Sequence, residues 1–241
     1  MSPIAAPLIL LLLTALCSGL SFASPPSTEN ISEPAATPPI YIRLFKEERQ
    51  LEIWQQSETG HYSLRNTFRI CDYSGLTGPK LLEGDLQSPE GFYSLTPDRM
   101  NPDSRFHLAL DIGYPNEYDK AHGRTGSALM IHGDCVSQGC YAMTDRYIEE
   151  IYAIVDSAFT NGQNEISIHI FPFRMDTLNM TYHSQSPWIS FWQQMQQGYQ
   201  LFEENRYPPL IEVLGDQYII SKGMARQLVH ASKSTLFAEN K

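Results

Sequence analysis

The sequence has little positive charge. Its 241 residues include 17 Lys plus Arg against 27 Asp plus Glu, which gives a formal net charge of −10. No stretch is rich in Lys or Arg, and phosphate contacts need clustered cations. This balance argues against an anionic membrane surface as a partner and comes close to excluding nucleic acid. Only 18 % of the residues are charged and 11 % are aromatic, so a folded chain is expected.

Long hydrophobic runs are also missing, apart from one near the start. That run extends from Ile4 to Leu16, shorter than the roughly 20 residues of a transmembrane helix and typical of the core of a signal peptide. Residues 1–23 contain no charged side chain, and Ser21 and Ala23 provide the small residues of a cleavage site after Ala23. We therefore predict a signal peptide at 1–23 and an exported mature chain without a transmembrane segment.

Cysteine is scarce, with four in the chain. Cys17 lies in the predicted signal peptide, where the large Leu16 before it argues against processing as a lipoprotein. Cys71, Cys135 and Cys140 remain, and an odd number leaves at least one thiol unpaired or paired between chains. A Cys71–Cys135 disulfide would leave Cys140 free, whereas a Cys135–Cys140 disulfide would block it. We favour a free Cys140.

The rest of the chain has the pattern of a β-rich domain behind a linker. Residues 24–39 are rich in proline and are predicted to be an extended linker. Residues 40–53 alternate as a β-hairpin, and the charged residues 46–49 at its tip are expected in a solvated turn. In the segment 165–171 the isoleucines are expected inward and His169 outward. Further strands are predicted at 62–71, 106–112, 128–131 and 165–171, with one more in residues 207–220.

Two segments have the periodicity of helices. Apolar residues recur at three- and four-residue spacing from Ile148 to Phe159, after a cap at Thr144 or Asp145. Pro187 opens a second helix, whose aromatic stripe is expected to pack into the core. The predicted fold class is therefore α+β, dominated by β-structure.

Residues 128–143 carry the chemistry. A predicted strand ends at His132, and after a short polar loop Cys140 precedes a helix. A free cysteine has a pKa of about 8.5, and a neighbouring imidazole activates it by accepting its proton. Gly139 has no Cβ, so the N–H groups of Gly139 and Cys140 can approach a carbonyl as an oxyanion hole. Gly133 frees the backbone beside His132.

The ring of His132 also needs a hydrogen-bond acceptor that fixes its tautomer. Asp134 either orients His132 in this way or is a solvated acid of the loop.

This stretch resembles the catalytic motif of the murein L,D-transpeptidase (YkuD-type) family, in which a His-Gly pair precedes Ser-x-Gly-Cys. The resemblance covers roughly residues 40–175 and is nearest to the YafK-like branch. It includes Gly78-Pro79-Lys80, Glu83-Gly84-Asp85, Pro89-Glu90-Gly91-Phe92-Tyr93, Gly113-Tyr114-Pro115-Asn116 and Gly123-Arg124-Thr125-Gly126.

The resemblance implies a catalytic domain at 40–175, built as a mixed β-sandwich with flanking helices, and a helix-containing C-terminal extension at 176–241 packed on it. It implies that Cys140 is the nucleophile and that His132 donates and accepts the proton. It also implies that Ser137, Gly139 and Gly133 shape the loop and the oxyanion site.

The resemblance further implies acyl transfer on peptidoglycan stem peptides in the periplasm of a Gram-negative bacterium, without a cofactor. The thiolate attacks the carbonyl on the L-centre side of diaminopimelate and expels an amine, leaving a thioester. An amine acceptor then gives a cross-link or a protein attachment. Water gives an amidase that releases a murein-linked lipoprotein.

The chain departs from the family pattern beside the cysteine. Gln138 replaces a histidine of many members, and Tyr141-Ala142 replaces Ile-Arg, so a carboxylate anchor is missing. Arg124, or else Arg99, is expected to bind substrate instead. These departures also motivate an alternative, a catalytically silent wall-binding module.

A zinc site is the remaining alternative. His107 and Asp111, together with His122 or His132, loosely resemble a ligand set, but no His-Glu-x-x-His motif accompanies them. We therefore expect no metal.

Overall fold

A computed structural model describes residues 37–224. The predicted signal peptide at 1–23 and most of the linker at 24–39 lie outside the described residues. Within them, a 3-10 turn at Pro97–Arg99 precedes β6. The strands are β1 (Ile40–Phe45), β2 (Gln50–Gln56), β3 (Tyr62–Arg69), β4 (Asp72–Tyr73), β5 (Gly91–Leu95), β6 (Met100–Ser104), β7 (His107–Asp111), β8 (Met130–His132), β9 (Tyr141–Ala142), β10 (Ile166–Phe171), β11 (Leu210–Leu214) and β12 (Gln217–Ser221).

The two longest helices are those predicted from the sequence. The hydroxyl of Thr144 accepts a hydrogen bond from the N–H of Tyr147, so Thr144 is the cap. The second helix begins two residues after Pro187. Two further helices of five and six residues were not predicted, since such short segments show no helical period. The helices are α1 (Glu117–Ala121), α2 (Asp145–Thr160), α3 (Thr177–Tyr182) and α4 (Ile189–Asn205).

The strands form two five-stranded sheets and a hairpin among residues 37–224. The first sheet has the order β3-β2-β1-β10-β5, and the second has the order β4-β9-β8-β7-β6. Both are mixed, because β1 pairs with β10 and β8 with β9 in parallel. The predicted β-dominated α+β class is confirmed. The prediction of a single strand in residues 207–220 is wrong, because a turn at Gly215 and Asp216 splits this segment into the β11–β12 hairpin.

Both faces of the first sheet are covered. Ile42, Ile168 and Ile170 on one face share a core with Ile131 of the second sheet and Ile151 of α2. On the other face, the aromatic stripe of α4 packs as predicted. That second cluster includes Phe45, Phe92, Phe171, Phe191, Trp192, Met195 and Tyr199.

The packing of α4 on this face contradicts the expectation that His169 is exposed. His169 was expected to point outward to solvent, and it does lie on the opposite face from the isoleucines. It is nevertheless only 2 % exposed, since this face lies in the aromatic layer that α4 completes. Its Nδ1 is 2.7 Å from the hydroxyl of Tyr41, and burial lowers its pKa to about 3.

The tip of the first hairpin is also not the solvated turn that was expected. Lys46 is completely buried and its ammonium lies 3.1 Å from Glu90 Oε1. The backbone carbonyls that accept hydrogen bonds from this ammonium lie in the segment 76–88. Only Glu47 is exposed among residues 46–49.

No helix in residues 37–224 is long and apolar enough to cross a bilayer.

Candidate active site

The adjacent strands β8 and β9 bring His132 and Cys140 together. In their parallel pairing, Ile131 lies opposite Tyr141 and His132 opposite Ala142. Side chains alternate along strands, so Cys140, directly before β9, lies on the same side of the sheet as His132. The polar loop 133–140 joins the two strands. The structure therefore places both predicted residues on the same side of the sheet, one directly before this loop and the other at its end.

A disulfide fixes the start of the loop. Cys71 and Cys135 are bonded, with their Cα atoms 5.5 Å apart, and Cys140 is free. This is the first of the two pairings considered from the sequence. It leaves the thiol of Cys140 available for chemistry.

Serine hydroxyls hold the other end of the loop. The hydroxyls of Ser137 and Ser88 donate hydrogen bonds to the carbonyl of Cys140 over 2.8 and 2.9 Å. The N–H of Gly139 donates to Ser74 Oγ over 2.5 Å. Gly139 has a φ of +107°, and a Cβ there would lie 3.2 Å from Leu129 Cδ2, so both backbone and space favour glycine.

These contacts change the predicted oxyanion hole. The Gly139 N–H is already bonded to Ser74 and is not available to an oxyanion in this conformation. The Cys140 N–H has no acceptor within residues 37–224. Ser137 and Gly139 thus bond within the loop and to Ser74, and of the two predicted oxyanion donors the Cys140 N–H is the one left without an acceptor in this part of the chain.

His132 is oriented by a backbone carbonyl. Its Nδ1 lies 2.5 Å from the carbonyl oxygen of Gly133. A carbonyl only accepts, so Nδ1 carries the proton and Nε2 is left to accept one. Asp134 is exposed and accepts from the N–H of Cys135 instead, so it is not the orienting acceptor. A Cβ on Gly133 would lie 2.6 Å from the carbonyl of Phe106, so only glycine fits.

Burial changes the acidity of both groups. His132 is 1 % exposed under the ring of Phe106, and this burial lowers its pKa, although the Gly133 carbonyl opposes the shift. Burial likewise raises the pKa of the Cys140 thiol, while the N–H of Met130 opposes it. The resting pair is therefore a neutral thiol and a neutral imidazole. This differs from the thiolate–imidazolium pair expected from the sequence.

The predicted substrate anchors are occupied within the protein. Arg124 donates to Asp119 over 2.7 Å, is 7 % exposed and stacks near Phe191. Arg99 donates to the carbonyl of Ser94 over 2.7 Å. This geometry favours a structural role for Arg124 over the predicted role in substrate binding.

The residues of the zinc alternative are apart or otherwise paired. His107 Nε2 lies 2.7 Å from Glu149 Oε1, and His122 Nδ1 lies 2.9 Å from the carbonyl of Tyr118. Residues 37–224 contain no group of three or more His, Cys, Asp or Glu placed to hold a metal ion.

Sequence reasoning missed the two serines that reach the loop from elsewhere. Ser88 is fully buried and adjoins the Pro-Glu-Gly segment already noted, which was a usable signal. Ser74 comes from the segment after β4, and no pattern in the sequence singles it out.

Comparison with known proteins identifies the family. The model of the L,D-transpeptidase catalytic domain, YkuD, matches residues 40–170. The "Putative L,D-transpeptidase YafK" of Escherichia coli K12 is 43 % identical over 221 residues, covering 90 % of this chain and 89 % of the relative. The protein of the same name in Escherichia coli O157:H7 gives the same values. The chain belongs to the L,D-transpeptidase family.

The solved structures that resemble this L,D-transpeptidase-family chain are more distant. The helical cell shape determining protein Pgp2 of Campylobacter jejuni is 22 % identical, with a TM-score of 0.45, covering 69 % of this chain and 63 % of Pgp2. Bd1075 of Bdellovibrio bacteriovorus is 20 % identical, with a TM-score of 0.43, covering 79 % and 82 %.

The resemblance to the family and to its YafK-like branch is confirmed, and the chain is a member of a family of cell-wall enzymes. The domain limits at 40–175 and 176–241 stay a prediction.

Proposed function

We propose that this protein is a cysteine-dependent acyl-transfer enzyme of the periplasm that acts on peptidoglycan stem peptides. The observation that carries the proposal is the pairing of β8 with β9. It sets the free thiol of Cys140 and the acceptor nitrogen of His132 on one side of a sheet. The family membership supports the substrate class.

The geometry supports a general-base mechanism. His132 Nε2 takes the thiol proton as Sγ of Cys140 attacks the carbonyl on the L-centre side of diaminopimelate. The Cys140 N–H stabilises the oxyanion, and the imidazolium then gives its proton to the departing amine. A thioester on Cys140 remains. Ser137, Gly139 and Gly133 keep the loop in the shape that this step needs.

The second half-reaction determines whether the enzyme is a transferase or a hydrolase. An amine acceptor regenerates the thiol and forms a cross-link or a protein attachment. Water regenerates it by hydrolysis and would release a murein-linked lipoprotein. Both outcomes share the first half-reaction, so the test below begins with the thioester.

The test is detection of the acyl-enzyme. The purified chain is incubated with tetrapeptide muropeptides and its mass is measured. We expect an adduct on Cys140, and we expect Cys140→Ser to form no thioester and to lose turnover by at least about 10³-fold. A double Cys71→Ser, Cys135→Ser variant is the control, since it keeps the free thiol. Full turnover in Cys140→Ser would overturn the proposal.

A wall-binding module without turnover is the second candidate. It is favoured by the covering of His132 by Phe106 and by the neutral thiol. In that case the chain would sediment with sacculi and form no acyl-enzyme. The Cys140→Ser variant would bind sacculi as well as the parent chain does. Adding an amine acceptor to lipoprotein-linked sacculi distinguishes transfer from hydrolysis if the adduct does form.

A further inference from the structure

A buried ion pair lies behind the loop that carries Cys140. Lys46 Nζ is 3.1 Å from Glu90 Oε1, and both side chains are fully buried. The same ammonium donates hydrogen bonds to the carbonyls of Leu76 and Ser88 over 2.7 and 2.9 Å. Two ions leave water at a high cost, so a buried pair persists only where further hydrogen bonds satisfy both. The backbone carbonyls do this for the lysine.

The segment between this ion pair and the candidate nucleophile is short. Ser88 accepts from Lys46 through its carbonyl and donates from its hydroxyl to the carbonyl of Cys140 over 2.9 Å. The next residue, Pro89, accepts from the hydroxyl of Tyr141 over 2.7 Å. The segment 88–90 therefore connects the ion pair to the backbone carbonyl of Cys140 and to the side-chain hydroxyl of Tyr141.

The other oxygen of the Glu90 carboxylate has its partner on α4, beyond the residues 40–170 that the family model matches. Trp192 Nε1 donates to Glu90 Oε2 over 2.9 Å, while the N–H of Gly78 donates to Oε1 over 2.6 Å. The N-cap of the same helix, Trp188, packs against Gly78, where a Cβ would lie 2.5 Å from the indole nitrogen. Each oxygen of the carboxylate thus has its own N–H donor.

We propose that Trp192 is a positioning residue for the acyl-transfer reaction, an inference that rests on the proposed function. Its indole N–H holds one oxygen of Glu90, so the other oxygen stays on Lys46 and Gly78 and the segment 88–90 stays against the Cys140 carbonyl. Without this bond the carboxylate is incompletely satisfied and the segment shifts. A small displacement of a nucleophile slows the chemical step more than it weakens substrate binding.

The test is Trp192→Phe, made in the full mature chain. It removes the N–H and keeps an aromatic ring in the packing. We expect kcat on muropeptides to fall by roughly tenfold with KM within about twofold of the parent, and labelling of Cys140 by iodoacetamide to slow by a similar factor. A purely structural role would lower the melting temperature without moving either the kcat–KM split or the labelling rate.

The chain offers a matched control. Trp54 Nε1 donates to Glu52 Oε2 over 2.8 Å, and this buried carboxylate pairs with Arg43, but these bonds do not lead to Cys140. Trp54→Phe should lower the melting temperature comparably and leave kcat and labelling unchanged. Equal losses of kcat in the two variants, or parental kcat and labelling in Trp192→Phe, would overturn the inference.

A second variant keeps the test decisive if Trp192→Phe does not fold. Ser88→Ala removes the last hydrogen bond of the path, to the Cys140 carbonyl, and should reproduce the loss of kcat. Parental kcat in Ser88→Ala would then overturn the inference. Failure of this inference can be distinguished from failure of the proposed function. If the proposed function is wrong, Cys140→Ser keeps its turnover; if only this inference is wrong, Cys140→Ser still loses it.

Discussion

At the scale of single residues, burial decides the protonation states of Cys140 and His132. Removing a thiol from water disfavours its thiolate, and removing an imidazole disfavours its cation. Both shifts are in the direction of the neutral form. Because its pKa is lowered, the imidazole stays neutral, and able to accept a proton, at a lower pH than an exposed histidine would. A neutral thiol reacts more slowly than a thiolate with electrophilic reagents. Burial thus favours the neutral form of both groups near neutral pH.

This arrangement predicts the pH dependence of labelling. The rate of iodoacetamide labelling at Cys140 should rise with pH, with a midpoint above the value of about 8.5 for a free cysteine, because burial raises the pKa of the thiol. The measurement is the labelling rate at each pH, located by mass spectrometry. A midpoint clearly below that value would show a thiolate stabilised at rest and contradict the neutral pair.

Turnover should titrate separately from labelling. It requires neutral His132, whose pKa is lowered, so activity should fall only as the pH drops below about 6.5, the pKa of an ordinary histidine. His132→Gln serves as the comparison, since it should abolish this acid limb together with most of the turnover.

The residues of the site differ in how far the sequence could predict them. Cys140, His132 and Ser137 are close in sequence, so their spacing was sufficient to predict that they share one strand–loop–strand segment, while their catalytic roles stay a prediction. Ser74 reaches Gly139 only because β4 pairs with β9, and long-range pairing leaves no local pattern. Arg124 fits a motif, but its ion pair with Asp119 depends on the folding of α1, which the sequence did not reveal.

At the scale of elements, alternation identified the strands but not what covers them. A period of two assigns side chains to two faces and says nothing about whether the second face is wet. His169 was therefore placed in solvent, while α4 buries that face. Lys46 was also placed in solvent, but its ammonium is buried against the carbonyls of Leu76 and Ser88. The helix itself was predicted because its aromatic stripe has the period of an α-helix.

The disulfide is the element whose contribution is easiest to measure. Cys71 and Cys135 are 64 residues apart, so the bond closes a long loop in the unfolded chain. The double Cys71→Ser, Cys135→Ser variant should lose about 2–4 kcal/mol of unfolding free energy, measured by denaturant titration. Adding a reductant to the parent chain should reproduce the loss and leave the double variant unchanged. An unchanged parent would contradict the prediction.

At the scale of the whole molecule, α4 completes the fold. The cluster around Phe45, Phe92 and Phe171 is closed by Trp192 and Met195 of that helix. Apolar area of this kind is worth about 25 cal/mol per Å² when buried, and its exposure promotes aggregation. The matched family domain at 40–170 is thus left with one sheet face open unless the extension covers it.

A truncation tests this dependence. A chain ending at Met175 should be aggregated or unfolded, as judged by circular dichroism and by size-exclusion chromatography. A chain ending at Met224 retains all of the described residues and should melt cooperatively. A monomeric, cooperatively melting product from the shorter chain would show that the sheet does not need α4.

The parallel pairing of β1 with β10 has a consequence for biosynthesis. Ile42–Phe45 of β1 lie beside Ile168–Phe171 of β10. The middle strand of the first sheet therefore pairs with a strand that is synthesised more than half a chain length later. Such distant pairings form slowly because a long loop must close first. After export, a chain that stops before Ile166 should therefore remain open to proteases, and resistance should appear only in chains that extend through α4.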